Sequence, residues 1–215
     1  MRKVCSIIIP IIASNAYPMS SPPVLCLAST SPRRRQLLQQ LGVAHRVQGA
    51  HVDESPRARE TPPDYVARVA AAKARAIWSA DAALPVLGAD TIVVVDGVMF
   101  GKPAGRQQGL TMLASLSGRV HEVLSAVALA TDKGMAVALC LSAVRFRTLS
   151  DEECRAYWDS GEPHDKAGAY AIQGLAAAFI ESLQGSYSGV MGLPLFETAE
   201  LLRGAGVPYG LPLPP

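Results

Sequence analysis

The sequence predicts an α/β fold in which helices cover a mixed β-sheet. Short apolar runs typical of strands alternate along the chain with segments of helical periodicity, and two pairs of strands are joined by tight turns. Interleaved helices and strands together with hairpins indicate a sheet that contains both parallel and antiparallel pairs. The 215 residues, 49% of them hydrophobic, provide enough apolar material for a core and exclude a disordered or collagen-like chain.

Three elements are predicted in the first third of the chain. Residues 24–29 form a short apolar strand, and the helix after it begins at Pro32 and ends at Gly42. Proline suits the first turn of a helix, and glycine suits its C-terminal cap. A longer helix covers residues 61–80, where Thr61 is followed by two prolines and an aspartate, a pattern typical of a helix start.

Two hairpins follow these elements. Residues 85–103 contain a buried strand that turns back at Asp96 and Gly97, because the pair Asp-Gly favours a two-residue hairpin turn. The segments 119–130 and 135–149 flank the sequence Thr-Asp-Lys-Gly, and we expect them to form a second, longer hairpin.

Two helices close the chain. Ser150 and Glu153 have the spacing of a capping box, in which each side chain bonds a free backbone N–H at the start of a helix. Residues 192–206 are predicted to contain the last helix, which ends at a glycine.

The overall charge and the cysteine content exclude several function classes. The net charge of +2 gives no signature of polyanion binding, so neither nucleic acid nor a membrane is an expected partner. Any phosphate binding must then come from a local cluster of cations. The four cysteines and four histidines show no ligand spacing, which favours a reducing compartment without structural zinc. We therefore expect a cytoplasmic protein.

The first twenty residues stand apart from the predicted fold. A basic start, a short apolar stretch and small residues near Ala16 resemble a secretory signal, but the stretch is too short to span a membrane. A start codon assigned too far upstream explains the segment as well, because a second methionine, Met19, directly precedes the predicted fold. We expect an N-terminal extension over residues 1–20, one domain over 21–210 and a tail over 211–215.

Three consecutive arginines, Arg33, Arg34 and Arg35, follow Ser-Thr-Ser-Pro at the predicted start of the first helix. Cations at this position oppose the helix dipole and disfavour the isolated helix by roughly 0.3–1 kcal/mol each. An anion bound at the same place would remove that conflict. A solvated arginine face explains the run equally well from these residues alone.

Polar residues interrupt two apolar patterns. Lys73 lies within the apolar stripe of the 61–80 helix, so its side chain either reaches the edge of the core or points into a cleft. Asp90 stands inside an otherwise apolar strand and needs a metal, a cation or water nearby, since an unpaired buried carboxylate is costly. A structural ion pair would also satisfy it. Asp53 and Glu54, before the longer helix, are by themselves ordinary charges of an exposed loop.

The first predicted hairpin brings a second lysine close to Asp90. With Asp96 and Gly97 as the turn residues, Lys102 lies opposite Thr91 and therefore beside Asp90. The register gives proximity rather than contact, because Lys102 shares the face of Thr91.

Seven segments between residues 24 and 207 carry a resemblance to a known family: LASTSPRRRQLL, VDE, VARVAAAKA, LGADTIVVVDGVMFGKP, LSGRVHEVLSAVAL, GEPHDKAGAYAIQG and GSYSGVMGLPLFET. In this order they resemble the Maf family of nucleoside triphosphate pyrophosphatases, and the block with GAYAIQG is similar to the branch acting on dTTP and UTP. The resemblance implies a long mixed sheet with two lobes around a substrate cleft, as in inosine triphosphatase-like folds, and commonly a homodimer.

The resemblance also implies a reaction and a set of site residues. Family members cleave nucleoside triphosphates between the α- and β-phosphates with a divalent cation, Mg²⁺ or Mn²⁺, and house-cleaning of modified pyrimidine nucleotides is the implied role. Glu54 and Asp90 match the metal-holding positions, and Asp90 also matches the proton acceptor for the attacking water. The substrate-binding positions are matched by Ser29, Arg33, Arg34, Lys73, Thr91, Lys102 and Gln173. Of these, Arg33, Thr91 and Gln173 match positions tied to base selection.

Two other interpretations stay open at this point. One is a 7-methyl-GTP pyrophosphatase, the activity of the sister branch, against which the AIQG sequence argues. The other is an interaction protein, since the family has also been linked to inhibition of septum formation in cell division.

The sequence departs from the family pattern at one of the arginines. The third arginine, Arg35, exceeds the pair that is usual in the family.

Overall fold

The computed structural model describes residues 22–210, and the predictions for segments 1–20 and 211–215 fall outside the described residues. Within this range the strands are β1 (Leu25–Leu27), β2 (His45–Val47), β3 (Val86–Val95), β4 (Val98–Phe100), β5 (Val120–Thr131), β6 (Gly134–Phe146) and β7 (Ile180–Gln184). The α-helices are α1 (Pro32–Gln40), α2 (Pro62–Ala80), α3 (Arg106–Leu116), α4 (Asp151–Asp159), α5 (Tyr187–Met191) and α6 (Leu195–Ala205). Short 3-10 helices cover Glu162–Asp165, Ala167–Ala169 and Leu175–Phe179.

The strands form one mixed sheet, which confirms the predicted α/β fold. The strand order is β2-β1-β3-β5-β6-β7, and β4 also pairs with β3. Strand β1 pairs in parallel with both β2 and β3, whereas the remaining pairs are antiparallel. The long central strands β3, β5 and β6 therefore carry the hairpin pairing, and the short strands at one end carry the parallel pairing.

Both predicted hairpins form. Strand β3 turns into β4 at Asp96 and Gly97, whose φ angles of 51° and 75° suit a turn that needs two left-handed residues. Strands β5 and β6 are joined by an equally tight turn, with Thr131 opposite Gly134. The predicted helix starts form too, since the Thr61 side chain caps α2 and the capping box of α4 has both of its hydrogen bonds.

The position predicted for Lys102 needs a correction. The register is the expected one, with Val95 opposite Val98 and Val93 opposite Phe100. However, β4 ends at Phe100, so Lys102 lies in the loop beyond the strand rather than opposite Thr91 on the ladder. The hairpin still brings Lys102 toward β3. The conformation of the loop, rather than strand pairing, determines where the Lys102 side chain points.

Two strands and two α-helices have no counterpart in the sequence prediction, namely β2, β7, α3 and α5, and neither do the 3-10 helices. Strand β2 has three residues and α5 has five, which is too short for either period to show in the sequence. Strand β7 is mostly exposed or half-buried, so its apolar pattern is weak. Helix α3 has no acidic residue in its first turn and no side-chain cap at its start, so these start signals are absent.

A gap in the pairing of β3 positions the functional site. Strand β5 pairs along one edge of β3, while β1 pairs with Val86 and Leu87 and β4 pairs with residues 93–95 along the other edge. Among the described strands, none pairs with residues 88–92 on that second edge. Asp90 and Thr91 lie in this gap, and because side chains alternate along a strand, they point to opposite faces of the sheet.

The core explains why a cleft opens at this gap. On one face of the sheet, even-numbered residues of β3 pack against α2. On the other face, Leu87 and Ala89 pack in a cluster with α1 and α6, whereas Val93 and Val95 pack in a cluster with α3 and α4. Thr91 lies between these two clusters. The two groups of helices are the two lobes, and the cleft separates them.

The described residues also bear on the environment of the protein. No helix within residues 22–210 is long and apolar enough to cross a lipid bilayer. Three cysteines in the same range, Cys26, Cys140 and Cys154, are buried free thiols.

Candidate active site

A cleft of about 550 Å³ lies at the gap in the β3 edge. It is lined by the loop before α1, the loop before α2, the centre of β3 and the segment around the 3-10 helices. The structure brings together in this cleft all nine residues that the sequence analysis singled out: Ser29, Arg33, Arg34, Glu54, Lys73, Asp90, Thr91, Lys102 and Gln173. Their roles stay predictions, but their common location is what those roles require.

A buried ion pair lies at the bottom of the cleft. Asp90 and Lys73 are only 6% and 8% exposed, and Lys73 Nζ lies 2.8 Å from Asp90 Oδ1. The same ammonium group lies 3.0 Å from Glu54 Oε1. Lys73 therefore links two carboxylates that come from different parts of the chain, and its charge offsets part of the cost of burying Asp90.

The contact between Lys73 and Asp90 depends on the close packing of α2 on β3. A Cβ atom placed on Gly88 would lie 2.3 Å from the carbonyl oxygen of Ala70 and 2.7 Å from the backbone nitrogen of Ala74. Only glycine allows the helix to approach the strand this closely. The approach lets the Lys73 side chain reach Asp90, two residues further along β3.

Helix α2 also holds the acidic loop in place. The hydroxyl of Tyr65 donates to the backbone carbonyl of Glu54 at 2.8 Å, and the Arg68 guanidinium donates to the carbonyl of Ser55 at 3.0 Å. Burial, together with the nearby carboxylates Asp90 and Glu54, raises the pKa of Tyr65 to about 12, so this phenol stays a donor. The Glu54 side chain itself is half exposed and faces the cleft.

The three arginines have three different environments. Arg34 donates from Nε to the carbonyl of Gly192 at 2.8 Å and from Nη1 to Ser29 Oγ at 3.4 Å, and burial lowers its pKa. Arg33 lies at the cleft, with Nη1 3.6 Å from Asp165 Oδ2. Arg35 is exposed and is not among the cleft residues. The alternative of a solvated arginine face therefore holds for the third arginine but not for the first two.

The sequence analysis missed a further charged pair at the cleft. Asp165 and Lys166 both line it, and they form an ion pair with each other next to Arg33. The available signal was the Asp-Lys pair within the GEPHDKAGAYAIQG block, of which only Gln173 was singled out. Gln173 lies at the rim, where its side chain is exposed, while Lys166 is mostly buried.

The carboxylates fit a divalent cation of the magnesium type. Within residues 22–210 there is no group of three or more metal-ligating side chains, so a site made entirely of protein ligands is not formed. Mg²⁺ is commonly bound by one or two carboxylates, with substrate phosphates and water completing the shell. Glu54 and Asp90, which Lys73 holds together at the cleft, provide such a pair of hard oxygen ligands.

Comparisons with known proteins find a matching family model and several similar proteins. A family model described as "Maf-like protein" matches residues 24–205. The chain is 56% identical over 186 residues to the dTTP/UTP pyrophosphatase of Methylococcus capsulatus, covering 85% of this chain and 91% of the relative. It is 51% identical over 193 residues to the protein of the same name in Alkalilimnicola ehrlichii, covering 87% and 95%. The corresponding protein of Bordetella parapertussis is 50% identical over 203 residues, covering 90% and 98%.

Proposed function

This chain belongs to the Maf family, and we propose that it hydrolyses dTTP and UTP to a nucleoside monophosphate and pyrophosphate. The three relatives share the name dTTP/UTP pyrophosphatase and align with most of the chain. The observation that carries the proposal is the buried carboxylate of Asp90, which faces a cleft rich in cationic side chains. Such an arrangement suits a reaction in which water attacks a polyphosphate.

Asp90 acts as the general base in this proposal. It accepts a proton from a water molecule while the water oxygen attacks the α-phosphorus. The bond from the α-phosphorus to the bridging oxygen breaks, and pyrophosphate leaves with the electron pair. Lys73 engages Oδ1 of the carboxylate, so we assign the water to Oδ2. A positioned base of this kind contributes about 10²–10⁴-fold to the rate.

The cations bind the triphosphate and stabilise the leaving group. Arg33 and Lys102 line the cleft with side chains that can donate to phosphate oxygens, and Lys73 lies beside the reacting end. Arg34 and Ser29 are hydrogen-bonded to each other at the start of α1, whose first backbone N–H groups have no side-chain cap. Groups that are held in place before the reaction stabilise the charge that develops on pyrophosphate without further reorganisation.

The divalent cation, Mg²⁺ or Mn²⁺, would be held by Glu54 and Asp90. When bound there, it supplies a positive charge that polarises a phosphoryl oxygen and helps to orient the water. The ammonium group of Lys73 contacts both carboxylates and so holds them close together before the cation binds. Tyr65 contributes by fixing the backbone of Glu54.

Base selection is assigned to Arg33, Thr91 and Gln173. The amide of Gln173 offers one donor and one acceptor, which match the N–H and a carbonyl of a uracil or thymine edge. The side chain is exposed where it lines the cleft, whereas the Lys73 and Asp90 pair is buried. A base at the rim and a triphosphate directed inward would place the reacting phosphate near Asp90.

Pyrophosphate release from a panel of triphosphates tests the proposed function. We expect kcat/KM for dTTP and UTP to be at least about tenfold higher than for CTP, ATP or 7-methyl-GTP, because a mismatched base strands polar groups of the site. A wild-type preference for 7-methyl-GTP would contradict both the branch of the family and the role given to Gln173.

We also propose one catalytic domain over residues 21–210, located in the cytoplasm, that removes modified pyrimidine nucleotides. The family match over residues 24–205 supports the single domain, and the free thiols suit a reducing compartment.

We also propose that the protein forms a homodimer. A homodimer is supported by an exposed apolar row on β6, formed by Val137, Leu139 and Leu141. The molar mass of the native protein, measured by light scattering, tests the homodimer.

A further inference from the structure

A chain of hydrogen bonds connects a residue that lines the cleft to the backbone of α5. The hydroxyl of Thr91 on β3 lies 2.8 Å from the hydroxyl of Ser125 on β5. Ser125 Oγ in turn lies 2.7 Å from the carbonyl oxygen of Gly189 in α5. Ser125 is 1% exposed and does not line the cleft, whereas Thr91 does.

The direction of both hydrogen bonds follows from the number of protons. A carbonyl oxygen can only accept, so the single hydroxyl proton of Ser125 is donated to Gly189. Ser125 has no proton left for Thr91, and therefore Thr91 must donate its own proton to Ser125. The Thr91 oxygen then offers only lone pairs to the cleft. Its neighbours make it an acceptor, although a threonine hydroxyl can ordinarily either donate or accept.

The surroundings of Thr91 suit a flat ring. Val93 and Val123 lie on the same face of the sheet as Thr91, and both line the cleft together with Tyr170 and Met191. This apolar part of the cleft lies on the opposite face of β3 from Asp90, away from the carboxylates. A nucleotide base is the part of the substrate that fits apolar walls with a single polar contact.

We propose that Ser125 is a positioning residue that makes Thr91 select a base carrying an N–H group, and so select uracil or thymine over cytosine. This inference rests on the proposed function, since it requires a pyrimidine triphosphate in the cleft. Uracil and thymine present an N–H at ring position 3, which can donate to Thr91. Cytosine presents a lone pair at the same position, and two acceptors facing each other leave both groups unpaired.

The variant Ser125→Ala tests this role. Without the serine oxygen, the Thr91 hydroxyl can rotate and donate to cytosine. We expect the ratio of kcat/KM for CTP to that for UTP to rise at least about fivefold, the scale of one hydrogen-bonding mismatch removed. The change should appear mainly in KM, because the base takes no part in the bond changes and its contact contributes equally to ground state and transition state.

Ser142→Ala is the matched control. Ser142 is buried on the neighbouring strand β6 and accepts from the backbone nitrogen of Ser186 at 3.0 Å, so it also ties the start of α5 to the sheet. Its removal should loosen α5 to a similar degree but leave the proton of Thr91 in place. We therefore expect the CTP to UTP ratio of Ser142→Ala to equal that of the wild type.

Two variants of Thr91 keep the test decisive if Ser125→Ala fails to fold. Thr91→Ser retains the hydroxyl and its bond to Ser125, so the preference for UTP over CTP should persist. Thr91→Val removes the hydroxyl, so that preference should fall. Equal preferences in these two variants would overturn the inference.

The outcomes separate the inference from the function on which it rests. A wild-type protein that releases pyrophosphate from neither UTP nor dTTP overturns the proposed function and the inference together. A wild type that hydrolyses both, with an unchanged ratio in Ser125→Ala, overturns the inference alone. Losses of equal size on CTP and UTP in Ser125→Ala would show a merely structural role and would also overturn it.

Discussion

At the residue scale, the chemistry of the cleft depends on two charges that are buried together. Asp90 lies in the middle of a strand whose other side chains are almost all apolar, and Lys73 lies among the apolar residues of α2. Each charge would be costly to bury alone, and each is the nearest partner of the other. Glu54 adds a second carboxylate from the cleft side, which leaves the group with one net negative charge for a metal ion.

The variant Asp90→Asn tests the catalytic role of the carboxylate. It keeps the size of the side chain but removes the base, so kcat should fall roughly 10²-fold or more. The circular dichroism spectrum should be unchanged, because the amide can still accept from Lys73. Asp132→Asn, in the exposed turn between β5 and β6, serves as the control and should keep full activity. Full activity in purified Asp90→Asn would remove Asp90 from the mechanism.

The variant Lys73→Met tests the energetic role of the ion pair. The apolar stripe alone predicts that a methionine at this position would keep or raise the free energy of unfolding. The structure instead predicts a loss of about 3–5 kcal/mol in the free energy of unfolding, because Asp90 is left as an unpaired buried charge. The double variant Lys73→Met, Asp90→Asn should recover most of the loss. Urea denaturation measures both, and a Lys73→Met protein as stable as the wild type would contradict the prediction.

At the element scale, the start of α1 shows how tertiary contacts accommodate an unfavourable sequence. The first turn carries three arginines and no acidic residue, and Ser31 makes no side-chain cap. The cations are separated by contacts outside the helix, since Arg34 bonds Gly192 and Arg33 faces Asp165. The helix therefore keeps its positive end open toward the cleft, where the negative charge of a triphosphate would stabilise it.

The packing of α2 on β3 gives the element-scale prediction. A methyl group at Gly88 would collide with the backbone of α2, so Gly88→Ala should lower the free energy of unfolding by about 1–3 kcal/mol. Because the helix must move away, Lys73 should also lose its contact with Asp90 and activity should fall. Gly204→Ala in α6 is the matched control, since a Cβ there meets no atom of the described residues within 4 Å. This control should be about 0.5–1 kcal/mol more stable than the wild type.

At the scale of the whole molecule, a buried histidine couples stability to pH. His121 is only 2% exposed, its Nε2 lies 2.9 Å from the hydroxyl of Tyr170, and its ring packs edge-on against Phe146. In the described part of the chain, Nδ1 has no hydrogen-bond partner. Burial lowers the pKa of His121 to about 4, which favours the neutral ring in the folded state.

The sign of the pH effect follows from this lowered pKa. The unfolded chain takes up a proton near the ordinary pKa of about 6.5, whereas the folded protein does so only near pH 4. Stability is therefore fully present above about pH 6.5 and is lost as the pH falls toward 4. From pH 7 to pH 5 the free energy of unfolding should drop by about 2 kcal/mol from this group.

The variant His121→Phe provides the comparison, because phenylalanine keeps an aromatic ring in the cluster but cannot titrate. Urea denaturation at pH 7 and pH 5 should show the drop in the wild type and little or none in the variant. Salt-bridged Glu60 and Glu153 do not obscure the result, because the unfolded chain protonates glutamate only near the ordinary pKa of 4.5, so their contribution to stability is lost below about pH 5. An equal drop in both proteins would assign the pH dependence to other groups.

Elements that depend on residues next to each other in the chain could be predicted from the sequence. Elements that depend on residues far apart in the chain could not. The Asp96 and Gly97 turn and the Ser150 capping box depend on residues next to each other in the chain, and both formed as expected. Strand β2 has no such signal, because its pairing with β1 is decided by a partner about twenty residues away. Lys102 was given the correct register but the wrong end point, since the length of β4 depends on what packs beyond it.

The sequence by itself determined the kinds of groups in the site and the family to which the chain belongs. The interrupted apolar patterns identified Lys73 and Asp90, and the ordered segments identified the resemblance that the family match confirmed. Only the tertiary structure decided how these groups are paired. That Lys73 bridges Asp90 and Glu54, and that Ser125 fixes the proton of Thr91, depends on distances between segments far apart in the chain. Hydrogen bonds and ion pairs act over a few ångströms, and a linear pattern does not contain those distances.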